Sequence, residues 1–264
     1  MTNLLFSGCS YSVGAGLVLE KDDPSNYTRI FSNEIFGNNH SLTNISISGY
    51  SNLRIFIDSI TNLLENKYDY AFIGWTSYPR FVSCVGLEEY NCMQMFNPSG
   101  TAISEHKGNE FNFSKKFLKD VCDKLSLIQH PHYDILDIVK YVNILKNLET
   151  HIKTKIYFIN NLCHWDHGYF TQQANNIKPS HLSQYTNQIL NSNNRDDDQI
   201  ERLYVKIHND YNSVGGIQEN KWLNLYHNFK SHSIDLGSDN LHPGPKSHIS
   251  YGKFLASQFK LKSV

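Results

Sequence analysis

The stretch Asn3–Gly16, NLLFSGCSYSVGAG, decides how this chain is read. Leu4, Leu5 and Phe6 form a short apolar run without helical spacing, and Ser7-Gly8 closes it. That predicts a buried strand running into a tight turn. Gly8-Cys9-Ser10-Tyr11-Ser12 then sets small and hydroxyl residues at the strand's end. A serine there has its backbone fixed by a sheet and its Oγ presented by the turn, which suits a nucleophile, although an ordinary turn serine has the same local sequence. The far end of the chain bears on the choice. Asp239-Asn240-Leu241-His242-Pro243 places a carboxylate and an imidazole three residues apart, on an expected loop before the last helix. Serine, acid and base therefore occur in the order Ser10, Asp239, His242.

Working outward, a helix is expected over Asn26–Ile35, closed by Gly37, and a strand over Leu42–Ile47 that stops at Gly49. Leu53, Phe56, Ile57, Ile60, Leu63 and Leu64 follow i, i+3, i+4, i+7 spacing from a Ser51 N-cap, the clearest helix in the sequence. Tyr70–Ile73 reads as a third buried strand ending at Gly74. Strand, helix, strand, helix, strand at such short spacing predicts a parallel sheet. Residues 81–130 break the rhythm and read as an insertion, with a helical segment near Lys115–Leu127. Tyr133–Leu148 reads as a helix with Leu136, Val139, Val142 and Leu145 on one face, and Lys155–Asn160 as the fourth strand. A second insertion is expected over 163–216, with helices near Leu182–Leu190 and Ile200–Ile207. Trp222–Phe229 fits helix or strand, and a terminal helix is expected over Lys246–Phe259.

The pattern of Ser10, Gly49, Gly74-Trp75-Thr76-Ser77 and Asp239…His242 resembles the SGNH (GDSL-like) hydrolases across the whole chain. The departures are Cys9 in place of the Asp of the Gly-Asp-Ser block, and Thr76 in place of the Asn of the Gly-x-Asn-Asp block. The resemblance implies one α/β domain over 1–264, flavodoxin-like, with about five parallel strands and helices on both faces. It implies ester hydrolysis of the esterase/acetylhydrolase type: Ser10 attacks an acyl carbonyl, His242 takes its proton, and Asp239 orients the imidazole. The oxyanion donors it implies are the backbone N–H groups of Ser10 and Gly49; the Thr76 hydroxyl is the expected substitute for the missing Asn. A small or carbohydrate-borne ester is the expected substrate, by family analogy. An O-acyltransferase using the same serine, and a catalytically silent binding module, are the other readings.

Lys and Arg number 24 against 25 Asp and Glu, so no basic field points to nucleic acid or anionic lipid. Cys9, Cys84, Cys92, Cys122 and Cys163 are an odd set without a CxxC pair, as expected of free thiols in a reducing compartment. No signal-peptide pattern or membrane-length apolar run occurs, and a cytoplasmic location is expected. The oligomeric state is not legible. Cys9 is expected to be a small packed residue rather than the nucleophile.

Ser10, Gly49, Thr76 and Asn161 all follow expected strand ends, the rim where parallel sheets gather function. Asn52 is either a polar residue of a helix turn or a spare oxyanion donor, and Trp75 is a further candidate substrate contact. Arg80 either binds an anionic substrate group or caps a sheet edge. Cys163-His164-Trp165-Asp166-His167 lacks a structural zinc spacing, so no metal is expected there. His164 and Trp165 are read as lining the substrate pocket, with Trp165 as a stacking surface. Gly8, Gly14 and Gly16 do not space as a nucleotide-binding GxGxxG, and no cofactor is expected.

Overall fold

The computed structural model describes residues 1–76, 81–84, 92–95, 131–161, 221–223 and 229–262. Strand β1 (Thr2–Ser7) runs into the short helix α1 (Ser10–Val13), followed by helix α2 (Tyr27–Phe36) and strand β2 (His40–Asn44). Helix α3 (Asn52–Glu65) leads into β3 (Tyr70–Trp75), and β4 (Phe81–Cys84) pairs antiparallel with β5 (Cys92–Met95). Helix α4 (Pro131–Glu149), β6 (Lys155–Asn160), β7 (Trp222–Leu223) and helix α5 (Pro245–Lys262) complete the described strands and α-helices.

The main sheet has the order β2-β1-β3-β6-β7, parallel throughout. Side chains alternate across it, as the period-2 geometry of strands requires. Leu5, Ala71, Ile73, Ile156, Phe158 and Trp222 pack on Ile55 and Leu63 of α3 and Ile138, Val142 and Leu145 of α4. Leu4, Phe6, Phe72, Tyr157, Ile159 and Leu223 pack instead on Tyr27 and Phe31 of α2 and Tyr251, Leu255 and Phe259 of α5. The result is three layers, helices on both faces of a parallel sheet. Each fully buried large apolar side chain contributes on the order of 1.5–3 kcal/mol.

Both middle helices begin where side chains accept from their first turns. Asn26 accepts from Thr28 N and Ser51 from Arg54 N at 3.2 Å, so the expected Ser51 cap is present. Several boundaries differ from the sequence reading. Strand β2 ends at Asn44, although Ile45 N and Ile47 N still donate to Phe6 O and Gly8 O, so the chain stays beside β1 past the strand. Trp222–Phe229 holds the two-residue strand β7 at one end, and a 3-10 turn over Phe229–His232 begins at the other. The terminal helix is longer than expected at both ends. Most of both expected insertions, with their expected helices, lies outside the described residues, as do the side chains of Leu136 and Val139. No described helix is long and apolar enough to cross a membrane.

In this strand order β2 lies on one side of β1 and β3 on the other, so the winding of the sheet switches sides between β1 and β3. Ligands in doubly wound sheets bind outside the carboxyl ends of the strands at that point. Ser10 follows β1 and Thr76 follows β3.

Candidate active site

The site begins with the turn after β1. A Cβ on Gly8 would lie 2.2 Å from Ser12 Oγ and 3.2 Å from Gly74 O, so only glycine lets the chain turn this closely beside β3. Cys9 is fully buried in the core, and its carbonyl accepts from Ser12 N and Val13 N. Ser10 is the first residue of α1 and only 3% exposed. Its hydroxyl makes no hydrogen bond among the described residues.

A buried polar network fixes α1 from behind. Asn161 Nδ2 donates to Ser12 Oγ (2.7 Å), Ser12 Oγ bonds Tyr27 OH (2.7 Å), and Tyr27 OH donates to Asn161 Oδ1 (3.3 Å). With Ser12 as donor to Tyr27, the three bonds run in one direction around a closed ring. Burial raises the Tyr27 hydroxyl's pKa, so it stays protonated within this ring. Asn26 Nδ2 reaches the carbonyls of Ser12, Val13 and Glu20 at 3.0–3.3 Å, and Asn44 Nδ2 donates to Ser12 O at 2.9 Å.

The C-terminal loop is built differently. Gly237 N donates to His242 O (2.7 Å) and Gly244 N to Asp235 O (2.9 Å), closing a narrow antiparallel loop around Leu236 and Pro243. Within it, Asp239 Oδ1 accepts from Leu241 N and His242 N, both at 3.0 Å, which leaves Oδ2 to pair with His242 Nδ1 at 2.6 Å. Partial burial opposes the Asp239 charge, but the His242 and Leu241 amides and the imidazole hold its carboxyl down at about 2. An ionised Asp239 accepts the Nδ1 proton, so Nε2 carries the free lone pair. Asp235, the neighbouring carboxylate, accepts from Lys246 N, Ser247 N and Ser247 Oγ at the start of α5. It anchors the helix and, among the described residues, makes no hydrogen bond to His242.

The two halves meet at Gly16. Ser238 N donates to Gly16 O at 2.8 Å, and a Cβ on Gly237 would lie 2.5 Å from that carbonyl. Gly16 itself has φ +91°, and a Cβ there would stand 3.1 Å from Asp239 Oδ1. The Tyr11 ring, next to Ser10, is 5.8 Å from the His242 ring, centroid to centroid. No hydrogen bond joins Ser10 Oγ to His242 among the described residues; such bonds often tighten only when substrate binds.

At the end of β3, the Asn52 carboxamide holds the backbone of Thr76: Thr76 N donates to Asn52 Oδ1 (2.8 Å) and Asn52 Nδ2 to Thr76 O (3.0 Å). Thr76 is fully buried, and its Oγ1 has no hydrogen-bond partner among the described residues. Gly49 lies in the loop after β2 at φ +84°, a conformation that favours glycine. The Ser10 and Gly49 N–H groups donate to no described residue.

Three of the candidate substrate contacts are engaged by the protein itself. Trp75 is fully buried and stacks on Phe158, because its place on β3 points it into the layer formed with α3 and α4. Asn161 is fully buried, and its carboxamide is occupied by Ser12 and Tyr27. Asn52 grips the protein's own backbone. Arg80, His164 and Trp165 lie outside the described residues. The sequence reading passed over Ser12, Tyr27, Asn44 and the Gly16–Gly237 contact. Asn26 stood at a legible helix start, but its reach back to α1 had no local signal.

No protein-family model and no curated protein sequence matches the chain. Among solved structures it is similar to the psychrotrophic esterase EstA from Pseudoalteromonas sp., in a form inhibited by monoethylphosphonate (12% identity, 99% of this chain and 98% of that one, TM-score 0.45). It is also similar to Axe2, an acetylxylan esterase from Geobacillus stearothermophilus (11% identity, 98% and 94%, TM-score 0.44), and to the lipase/acylhydrolase from Enterococcus faecalis (10% identity, 100% and 96%, TM-score 0.41). The α/β class of the chain rests on its own five-stranded parallel sheet.

Proposed function

We propose that the chain is a serine hydrolase of the SGNH type that cleaves carboxylic esters. The observation that carries this reading is the join at Gly16, which brings a prebuilt Asp239–His242 pair against the loop that follows Ser10.

Ser10 Oγ attacks the ester carbonyl as His242 Nε2 takes its proton. The imidazolium is stabilised by Asp239, which already accepts a hydrogen bond from Nδ1–H and is held in place by two backbone amides. Charge develops on the carbonyl oxygen, where the N–H groups of Ser10 and Gly49 and the Thr76 hydroxyl serve as donors. The C–O bond to the alcohol breaks as His242 returns the proton to the leaving oxygen. Water, deprotonated by His242, then cleaves the acyl-serine and regenerates the enzyme.

The test is turnover of short-chain aryl esters. Ser10→Ala removes it while leaving circular dichroism and Tm unchanged. Undiminished turnover in that variant would exclude Ser10 as the nucleophile.

A further inference from the structure

We infer that Asn52 is a positioning residue for the oxyanion donor, acting through Thr76 without touching substrate. The inference rests on the hydrolase reading above and deepens it.

Asn52 opens α3, is 8% exposed, and gives both ends of its carboxamide to one residue. Its Oδ1 takes the Thr76 N–H and its Nδ2 meets the Thr76 C=O. This is the pattern a neighbouring strand would offer, and it extends the restraint on β3 one residue past its end. One consequence is chemical: the Thr76 N–H is committed, so the hydroxyl is the donor Thr76 has to offer. The other is geometric. Counting on from the Ser7–Ile73 pair in the β1–β3 ladder, Ser10 and Thr76 stand three residues past equivalent positions.

The state of that hydroxyl is the second observation. Thr76 Oγ1 is enclosed and without a partner among the described residues. Asn161, equally buried, has both ends of its carboxamide bonded. An enclosed hydroxyl left unpaired is costly and calls for an explanation. An oxyanion forming beside Ser10 supplies the missing acceptor, and the Asn52 clamp keeps the hydroxyl ready for it before substrate arrives.

The experiment is a double-mutant cycle on kcat and KM for an aryl acetate, with Asn52→Ala, Thr76→Val and the double variant, and with Tm recorded for each. Thr76→Val lowers kcat roughly 10²-fold with KM little changed. Asn52→Ala lowers kcat by about tenfold to 10²-fold, also with KM little changed. The double variant is no slower than Thr76→Val alone, because the clamp has nothing left to position. Thr76→Ser keeps the hydroxyl and retains most of the activity, and Asn52→Asp, which keeps the acceptor for Thr76 N–H, falls between wild type and Asn52→Ala. The inference is overturned if the two losses multiply, if Asn52→Ala shifts only Tm or KM, or if Thr76→Val is silent. Those outcomes leave Ser10-dependent turnover intact, so the hydrolase reading survives them. Wild-type turnover that is absent, or that persists in Ser10→Ala, removes both.

Discussion

The serine and its acid–base partners sit on two regions built by opposite means. The Ser10 region is held by partners distant in sequence: Ser12 is bonded to Tyr27, Asn44 and Asn161, all buried or half-buried, at the junction of β1, β2, α2 and β6. The Asp239–His242 region is held by neighbours within ten residues, and both side chains are about a third exposed. One is part of the core and shares its cooperativity; the other is a preformed clip laid on the surface and joined to the core mainly at Gly16. Substitutions among the residues that support Ser10 from behind should therefore register as stability, and substitutions in the second region as activity.

The largest effect expected from breaking the clip is at Asp239. Asp239→Asn keeps the side chain's shape but favours the wrong imidazole tautomer, and kcat should fall by up to roughly 10⁴-fold. Asp235→Asn should weaken the start of α5 and leave kcat near wild type, since among the described residues the Asp235 carboxylate hydrogen-bonds Ser247 and Lys246 and not His242. Steady-state kinetics on both variants checks this, and the reverse pattern would show that the acid is Asp235.

Next comes the join itself. Gly237→Ala puts a methyl 2.5 Å from Gly16 O, and the loop must move away from α1. The expected loss in kcat is roughly 10²-fold, typical of a misplacement near 1 Å, with only a small change in Tm. Tyr27→Phe should do the opposite. It removes one hydroxyl from the buried ring, at a cost of about 1–3 kcal/mol in unfolding free energy, with kcat little changed while the protein is folded. Equal losses of activity in the two variants would erase the contrast.

How much of this was legible in the sequence follows the same division. The Asp239…His242 clip is local, so its spacing shows in the chain, as do the Ser51 cap and the apolar periods of α3 and the strands. Asn161 was read as a rim residue because it follows a strand end, and nothing nearby in sequence reveals that Ser12 and Tyr27 enclose it. Trp75 was misplaced for a related reason: position on a strand fixes which face a side chain takes, but not how far the covering layer extends. Asn52 offered two readings, and only the fold supplied Thr76, 24 residues away, as its partner.

A further effect concerns acid. His248 on α5 is buried, accepts from Tyr27 N through Nδ1, and packs against Phe229. Burial pushes its imidazole down to about 4, against the pull of Asp23 and Asp235. Its contribution to stability is complete above the unfolded value of 6.5 and is lost as pH falls from 6.5 to about 4, because only the unfolded chain takes up the proton in that window. The loss should be about 3 kcal/mol, and His248→Asn, which keeps the acceptor for Tyr27 N, should flatten that part of the pH–stability curve. Urea unfolding across this pH range measures it.

Whether these two unlike regions form one catalytic unit is decided by a kinetic cycle on Ser10→Ala, His242→Ala and the double variant. Each single variant should lose nearly all turnover of a short-chain aryl ester, and the double variant should lose little more than either, because neither residue assists catalysis without the other. If the two losses multiply as independent factors, Ser10 and His242 do not act on the same proton, and the account fails.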